Sequence, residues 1–200
     1  MSLSRALSHP AWPWLALCAG LGTACVLAEA SGRSWLLAWH AGLWTAHPWM
    51  LWSASLVHLG DWHLLGNLAA LAVLAVLGAH LRADGRDTLA ALLAWPAGNA
   101  ALALWPSIEA YSGLSGLLCA LLAVLVVRAA STPRQPLEAL LLGTVLAFKL
   151  LIEQGWVHPI VYDPQWGFNV VLAAHLAGAI TGLMFAGALR VVRRPPHRPA

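Results

Sequence analysis

Six long apolar segments, separated by short polar breaks, constrain this chain more than any other feature. They run over roughly 11–30, 61–81, 88–105, 114–130, 137–155 and 169–189. Each is long enough, or nearly so, to cross a hydrocarbon core of about 30 Å. The breaks carry turn and charge signals: "RADGRD" at 82–87, "STPRQP" at 131–136 and "VHPIVYDPQWG" at 157–167. Only 10% of the residues are charged, against about 25% in a soluble domain, so lipid is the expected solvent. The expected fold is an all-α membrane protein: one six-transmembrane-helix domain over 1–190. The basic, proline-rich tail 191–200 is expected to be disordered. The net charge of +3 is not gathered into one block, so no nucleic-acid partner is expected. Cys18, Cys25 and Cys119 all fall in apolar runs. An odd count there argues for buried free thiols rather than a disulfide framework.

The basic residues set an expected orientation. With the N-terminus cytoplasmic, that side holds Arg5, Arg82, Arg86, Arg128, Arg134, Arg190, Arg193, Arg194 and Arg198. The opposite side holds Arg33 alone. Lys149 lies inside the fifth segment, near enough to its outer end to snorkel, and Glu153 one turn on can partner it. Both termini are thus expected in the cytoplasm. The first segment is longer than the core of a signal peptide, so it is expected to be retained despite the "AEA" at 28–30. Trp35, Trp39, Trp44, Trp49, Trp52, Trp62, Trp105, Trp156 and Trp166 lie toward the outer side, as an interfacial belt would. Five of them are in the 31–60 connection, which reads as a loop lying in the membrane interface.

Ionisable and polar groups at membrane depth are costly and point to function. The candidates are His63, Asn67, Asn99, Ser115 and His175. Counting about 1.5 Å per helical residue from the cytoplasmic arginines places Ser115 about 20 Å up from Arg128. His175 is about 22 Å from Arg190, and Asn67 about 22 Å from Arg82. Three polar groups on three segments therefore share one level. His63 lies one turn from Asn67 on the same face. The serine begins its helix below the outer surface, so the preceding "PSIEAYSG" must dip into the membrane. Irregular backbone is tolerated there only if it is buried in protein or lines a wet cavity.

A serine needs a base to become a nucleophile, and His175 is the candidate. A tetrahedral intermediate needs donors for its oxyanion. The unpaired amides at the helix start around Ser115 can supply them, joined by the side chains of Asn67 and His63. Gly178 and Gly182 follow His175 at i+3 and i+7 and form a small-residue surface for close helix approach. Cys119 and Ala123 continue the Ser115 face. No acidic residue is counted at that depth, so the expectation is a Ser–His dyad. Asn99, beside Pro96, is expected to be packing glue or a partner for backbone acceptors freed by the proline.

Taken together these stretches resemble the rhomboid intramembrane serine proteases. "HLGDWHLLGN" (58–67) is similar to their second-span motif, "GLSG" (113–116) to their nucleophile motif, and "AHLAGAITG" (174–182) to their last-span motif. The small form and "FKLLIEQ" (148–154) look most like the rhombosortase branch. The resemblance implies a six-span rhomboid-like bundle in a bacterial inner membrane, its site open to the periplasm. It implies Ser115 as nucleophile, His175 as base, and His63, Asn67 and the Ser115 amide as the oxyanion hole. Gly113, Gly116, Gly178 and Gly182 would be structural, as would His58, which helical spacing turns about 140° from His63. The expected substrates are transmembrane proteins, with C-terminal Gly-Gly-type anchors of exported proteins implied for the branch. No cofactor and no metal are expected. Two departures stand out. Met50 follows Trp49 where rhomboids commonly have arginine, and Cys119 stands where some have an aromatic against the base, leaving His175 less rigidly held.

Two other readings compete. A metal-binding oxidoreductase would use His58, His63 and His175, but the sequence lacks a His-x-x-x-His or Glu-x-x-His pair at depth. A non-catalytic rhomboid relative that only binds membrane segments would be expected to lose the serine or the histidine.

Overall fold

The computed structural model describes residues 9–191. Arg5 and the tail residues 192–200, with Arg193, Arg194 and Arg198, lie outside the described residues. One long helix overlaps each of the six apolar segments: α1 (Trp12–Ala30), α2 (Asp61–His80), α3 (Gly85–Ala101), α4 (Ser115–Ala130), α5 (Pro136–Glu153) and α6 (Leu172–Val191). Three of these, α1, α2 and α6, are long and apolar enough to cross a membrane. The others fall short for visible reasons. α3 opens with Arg86 and Asp87, α4 has 16 residues, and α5 carries Glu138, Lys149 and Glu153.

α4 is the centre of the bundle. Ten of its residues are buried, from Gly116 to Ala129, and it packs against α3, α5, α6 and α2. The closest approach is to α6. A Cβ on Gly178 would overlap the carbonyl oxygen of Gly116, and one on Gly182 would lie 2.5 Å from the carbonyl oxygen of Ala120. The small residues that meet α6 are thus Gly116, Ala120 and Ala123. Cys119 lies with Ala123 in a cluster that also holds Leu146 of α5 and Ala179 of α6. All three cysteines are free and buried. By contrast α5 is peripheral. Leu146 is its sole buried residue, and Leu140, Leu141, Val145, Phe148 and Ile152 are exposed, as a lipid-facing helix requires.

A partly buried ion-pair network ties helix ends together at the far end of α4 from Ser115. Asp84 and Asp87 form a capping box at the start of α3. Arg128 of α4 reaches Asp84 at 3.3 Å and the Leu81 carbonyl at 3.1 Å. Arg190 of α6 reaches the fully buried Asp87 at 2.5 Å. Two of the arginines that suggest orientation, Arg128 and Arg190, therefore also clamp α3, α4 and α6.

The connections are more ordered than the sequence suggests. Within 31–60, β1 (Trp39–His40) pairs antiparallel with β2 (Ala110–Tyr111), Trp39 opposite Tyr111. Trp39 is fully buried rather than part of an exposed belt, whereas Trp35, Trp49 and Trp62 are exposed. Asn99 donates to the Leu51 carbonyl at 2.8 Å and to Ser55 Oγ at 3.1 Å. Its role is to fasten the first connection to α3, not to serve acceptors freed by Pro96. The stretch before Ser115 is buried only in part: Ile108, Tyr111, Gly113 and Leu114 are buried, while Pro106, Ser107, Glu109 and Ala110 are exposed. The last connection forms a hairpin of β3 (Val161–Asp163) and β4 (Phe168–Val170).

Candidate active site

Ser115 is the first residue of α4, so its amide has no partner within the helix. Three hydrogen bonds fix the turn that delivers it. The Gly113 amide donates to the Ala54 carbonyl at 3.0 Å. The Tyr111 hydroxyl donates to the Gly113 carbonyl at 2.5 Å and accepts from the Gly116 amide at 3.3 Å. Gly113 has φ +131°, a conformation that favours glycine, and a Cβ there would lie 3.0 Å from the His63 ring. "GLSG" is thus a turn whose first glycine is demanded by backbone conformation and whose second is demanded by the packing of α6.

Ser115 Oγ is 2.9 Å from His175 Nε2. His175 is buried in the first turn of α6, and the Gly116–Gly178 contact brings the two helices that close. His175 Nδ1 is 2.8 Å from Glu153 Oε2, and Glu153 Oε1 is 2.5 Å from Lys149 Nζ. The Lys149–Glu153 partnership was legible from i,i+4 spacing. The expectation that no acid reaches His175 is not met, and the reason is side-chain direction. Helical side chains lean toward their own N-terminus. Glu153, at the end of α5, leans back along its helix, while His175, at the start of α6, leans toward the connecting segment. A level counted on α-carbons sets them apart, and the side chains close the gap. His175 is therefore not loosely held, even with Cys119 where an aromatic was looked for. The signal that could have found Glu153 was a carboxylate at the end of one apolar segment, with a histidine in the first turn of the next.

His63 and Asn67 are on α2, facing the same cavity of about 910 Å³ that Ser115, His175, Glu153 and Lys149 line. The Leu59 amide donates to His63 Nδ1 at 3.3 Å. A neutral imidazole that accepts at Nδ1 carries its proton on Nε2. The point where a Gly113 Cβ would lie is 3.3 Å from that Nε2 and 3.9 Å from Ser115 Oγ. Asn67 is buried and its Nδ2 has no hydrogen-bond partner. His58 precedes α2, so helical spacing does not turn it away. Its ring is 5.0 Å from that of His63, edge-on. The β3–β4 hairpin covers this side, with Phe168 and Trp166 at 5.1 and 5.9 Å from the His63 ring.

Residues 45–191, which is 147 of the 200, match the family described as the Rhomboid domain. The chain belongs to the rhomboid family. The match takes in α2 to α6 and every candidate site residue, and leaves α1 outside it. No individual curated protein matches the chain. Rhomboids are known for intramembrane serine proteolysis and act on transmembrane substrates within the bilayer. A serine, a histidine and unpaired donors converging on one cavity are the groups that acyl transfer uses.

Proposed function

We propose that this rhomboid is an intramembrane serine protease in which Ser115 is the nucleophile and His175 the general base. The observation that carries the reading is the 2.9 Å contact between Ser115 Oγ and His175 Nε2 inside a cavity. His175 takes the hydroxyl proton as Oγ bonds to the scissile carbonyl carbon. The carbonyl's electron pair moves onto its oxygen, where the Ser115 amide, His63 Nε2–H and Asn67 Nδ2 can receive it. The proton then goes to the leaving nitrogen as the C–N bond breaks, and water releases the acyl group by the same route.

The bundle spans the membrane six times, termini in the cytoplasm, with the cavity open to the opposite, periplasmic side of a bacterial inner membrane. The asymmetric arginines support that orientation, and the exposed apolar faces of α1, α2 and α5 support lipid contact. The substrates are transmembrane-anchored proteins cut near the outer face. The likeness of "FKLLIEQ" to the rhombosortase branch favours C-terminal Gly-Gly-type anchors of exported proteins.

The test is cleavage of a co-expressed anchored substrate. Ser115→Ala abolishes cleavage while membrane insertion and folding are retained, and mass spectrometry of the wild-type product places the new C-terminus in the outer third of the anchor or just outside it. Cleavage by folded Ser115→Ala protein sinks the assignment. A non-catalytic relative would show no cleavage with either chain.

A further inference from the structure

We propose that Glu153 is the positioning acid of this site, so that Ser115, His175 and Glu153 act as a triad with Lys149 as counter-ion to its carboxylate. The proposal rests on the reading of Ser115 and His175 as nucleophile and base.

A neutral imidazole offers one donor and one acceptor nitrogen. An ionised carboxylate only accepts. With Glu153 Oε2 2.8 Å from Nδ1, the proton of His175 belongs on Nδ1. The Nε2 lone pair then faces Ser115 Oγ at 2.9 Å, which is the tautomer a general base needs. The same carboxylate stabilises the imidazolium that forms when Nε2 takes the serine proton, and it stays ionised throughout, as in soluble triads. The two oxygens divide the work: Oε1 takes Lys149 and Oε2 takes His175. An ion pair present only to anchor α5 would not need to present its second oxygen to the base.

Lys149 explains how a carboxylate can stand here. An unpaired charge at membrane depth is strongly disfavoured, and i,i+4 spacing on α5 puts an ammonium on the same face. The Glu153 side chain is 19% exposed and that of Lys149 38%, both toward the cavity. Each partner of the pair supplies the other's counter-charge, while His175 itself is buried.

The experiment uses the full chain purified in detergent and an anchored substrate whose cleavage is followed by initial rates. Glu153→Gln keeps the size of the side chain but removes the charge and adds a donor that selects the wrong tautomer. It is expected to keep its thermal midpoint and a KM within about threefold of wild type, with kcat lower by about 10²- to 10⁴-fold. Glu153→Asp restores part of the loss. Nitrogen-15 spectra of histidine-labelled protein, with His175 assigned by difference against His175→Ala, should show Nδ1 protonated in wild type and not in Glu153→Gln. A wild-type spectrum with Nδ1 of His175 unprotonated overturns the proposal even if Glu153→Gln fails to fold. So does a Glu153→Gln enzyme with kcat within about threefold of wild type in an assay where Ser115→Ala is dead, and that result leaves the nucleophile standing. Activity in Ser115→Ala would instead bring down the reading beneath both.

Discussion

Asn67 keeps its side-chain nitrogen buried and unpartnered on a cavity wall. A donor left unpaired in a protein interior typically costs about 1–3 kcal/mol, so its retention asks for a partner that arrives later. A developing oxyanion is such a partner. His63 is prepared differently, since the Leu59 amide at Nδ1 leaves Nε2 as the donor. Replacing either residue with alanine is expected to lower kcat by about 10²- to 10³-fold, the usual loss for one oxyanion donor. Substrate affinity should change little, and stability should rise or hold for Asn67→Ala because an unsatisfied group is removed. Steady-state kinetics with a thermal melt on each variant checks this, and a loss confined to KM would assign both residues to substrate binding. At this scale the convergence of Ser115, His175, His63 and Asn67 on one cavity was legible, because polar groups in apolar segments are conspicuous and a rise per residue converts sequence into depth. Glu153 was not, because depth counting follows the backbone and the contact is made by side chains leaning toward each other.

The helices themselves are written plainly in the sequence, since long apolar runs bounded by charges and turns leave few alternatives. What escapes is anything built from two or three residues. The β1–β2 pair has no periodicity to read, yet it joins the first connection to the stretch that delivers Ser115. The β3–β4 hairpin hides within a loop signal for the same reason. Glycine readings divide as well. A Cβ on Gly155, just past the end of α5, would lie 2.6 Å from the Leu172 carbonyl oxygen, so this glycine packs against the start of α6. Gly167, with φ +73° and open surroundings, marks the hairpin turn. Gly178 matters most, because its missing Cβ sets the distance between α4 and α6. Gly178→Ala is expected to force the helices apart at a cost of about 1–3 kcal/mol. It should also lower kcat by about 100-fold if Ser115 and His175 separate by an ångström. Gly20→Ala on exposed α1, where a Cβ meets nothing within 4 Å, is the control and should be neutral or stabilising. Denaturation in detergent and initial rates on both variants decide it, and a fully active Gly178→Ala enzyme would show that the close approach does not set the catalytic distance.

Across the whole molecule the parts differ in how firmly they are held. α4 and α6 are locked by close packing at one end and by the Arg128, Arg190, Asp84 and Asp87 network at the other. Ser115 and His175 therefore stand on the rigid part. α5 is exposed along most of its length, and the hairpin covers the cavity through contacts to His63 and, from Trp166, to the edge of α2 at Gly66. A membrane-anchored substrate must enter from the side, so the elements that yield should be the hairpin and the peripheral helix rather than the core, as with lids in other enzymes. Cysteines placed at 66 and 166 and joined by a short bismaleimide should hold the hairpin tip against α2. Cleavage of an anchored substrate should slow markedly, while a short soluble peptide, which needs no lateral passage, should be cut at close to the unlinked rate. Comparing each linked protein with the same double-cysteine chain left unlinked removes the effect of the substitutions. Equal slowing of both substrates would mean that the hairpin shapes the catalytic pocket instead of gating it, and undiminished cleavage of the anchored substrate would move the entrance away from α2.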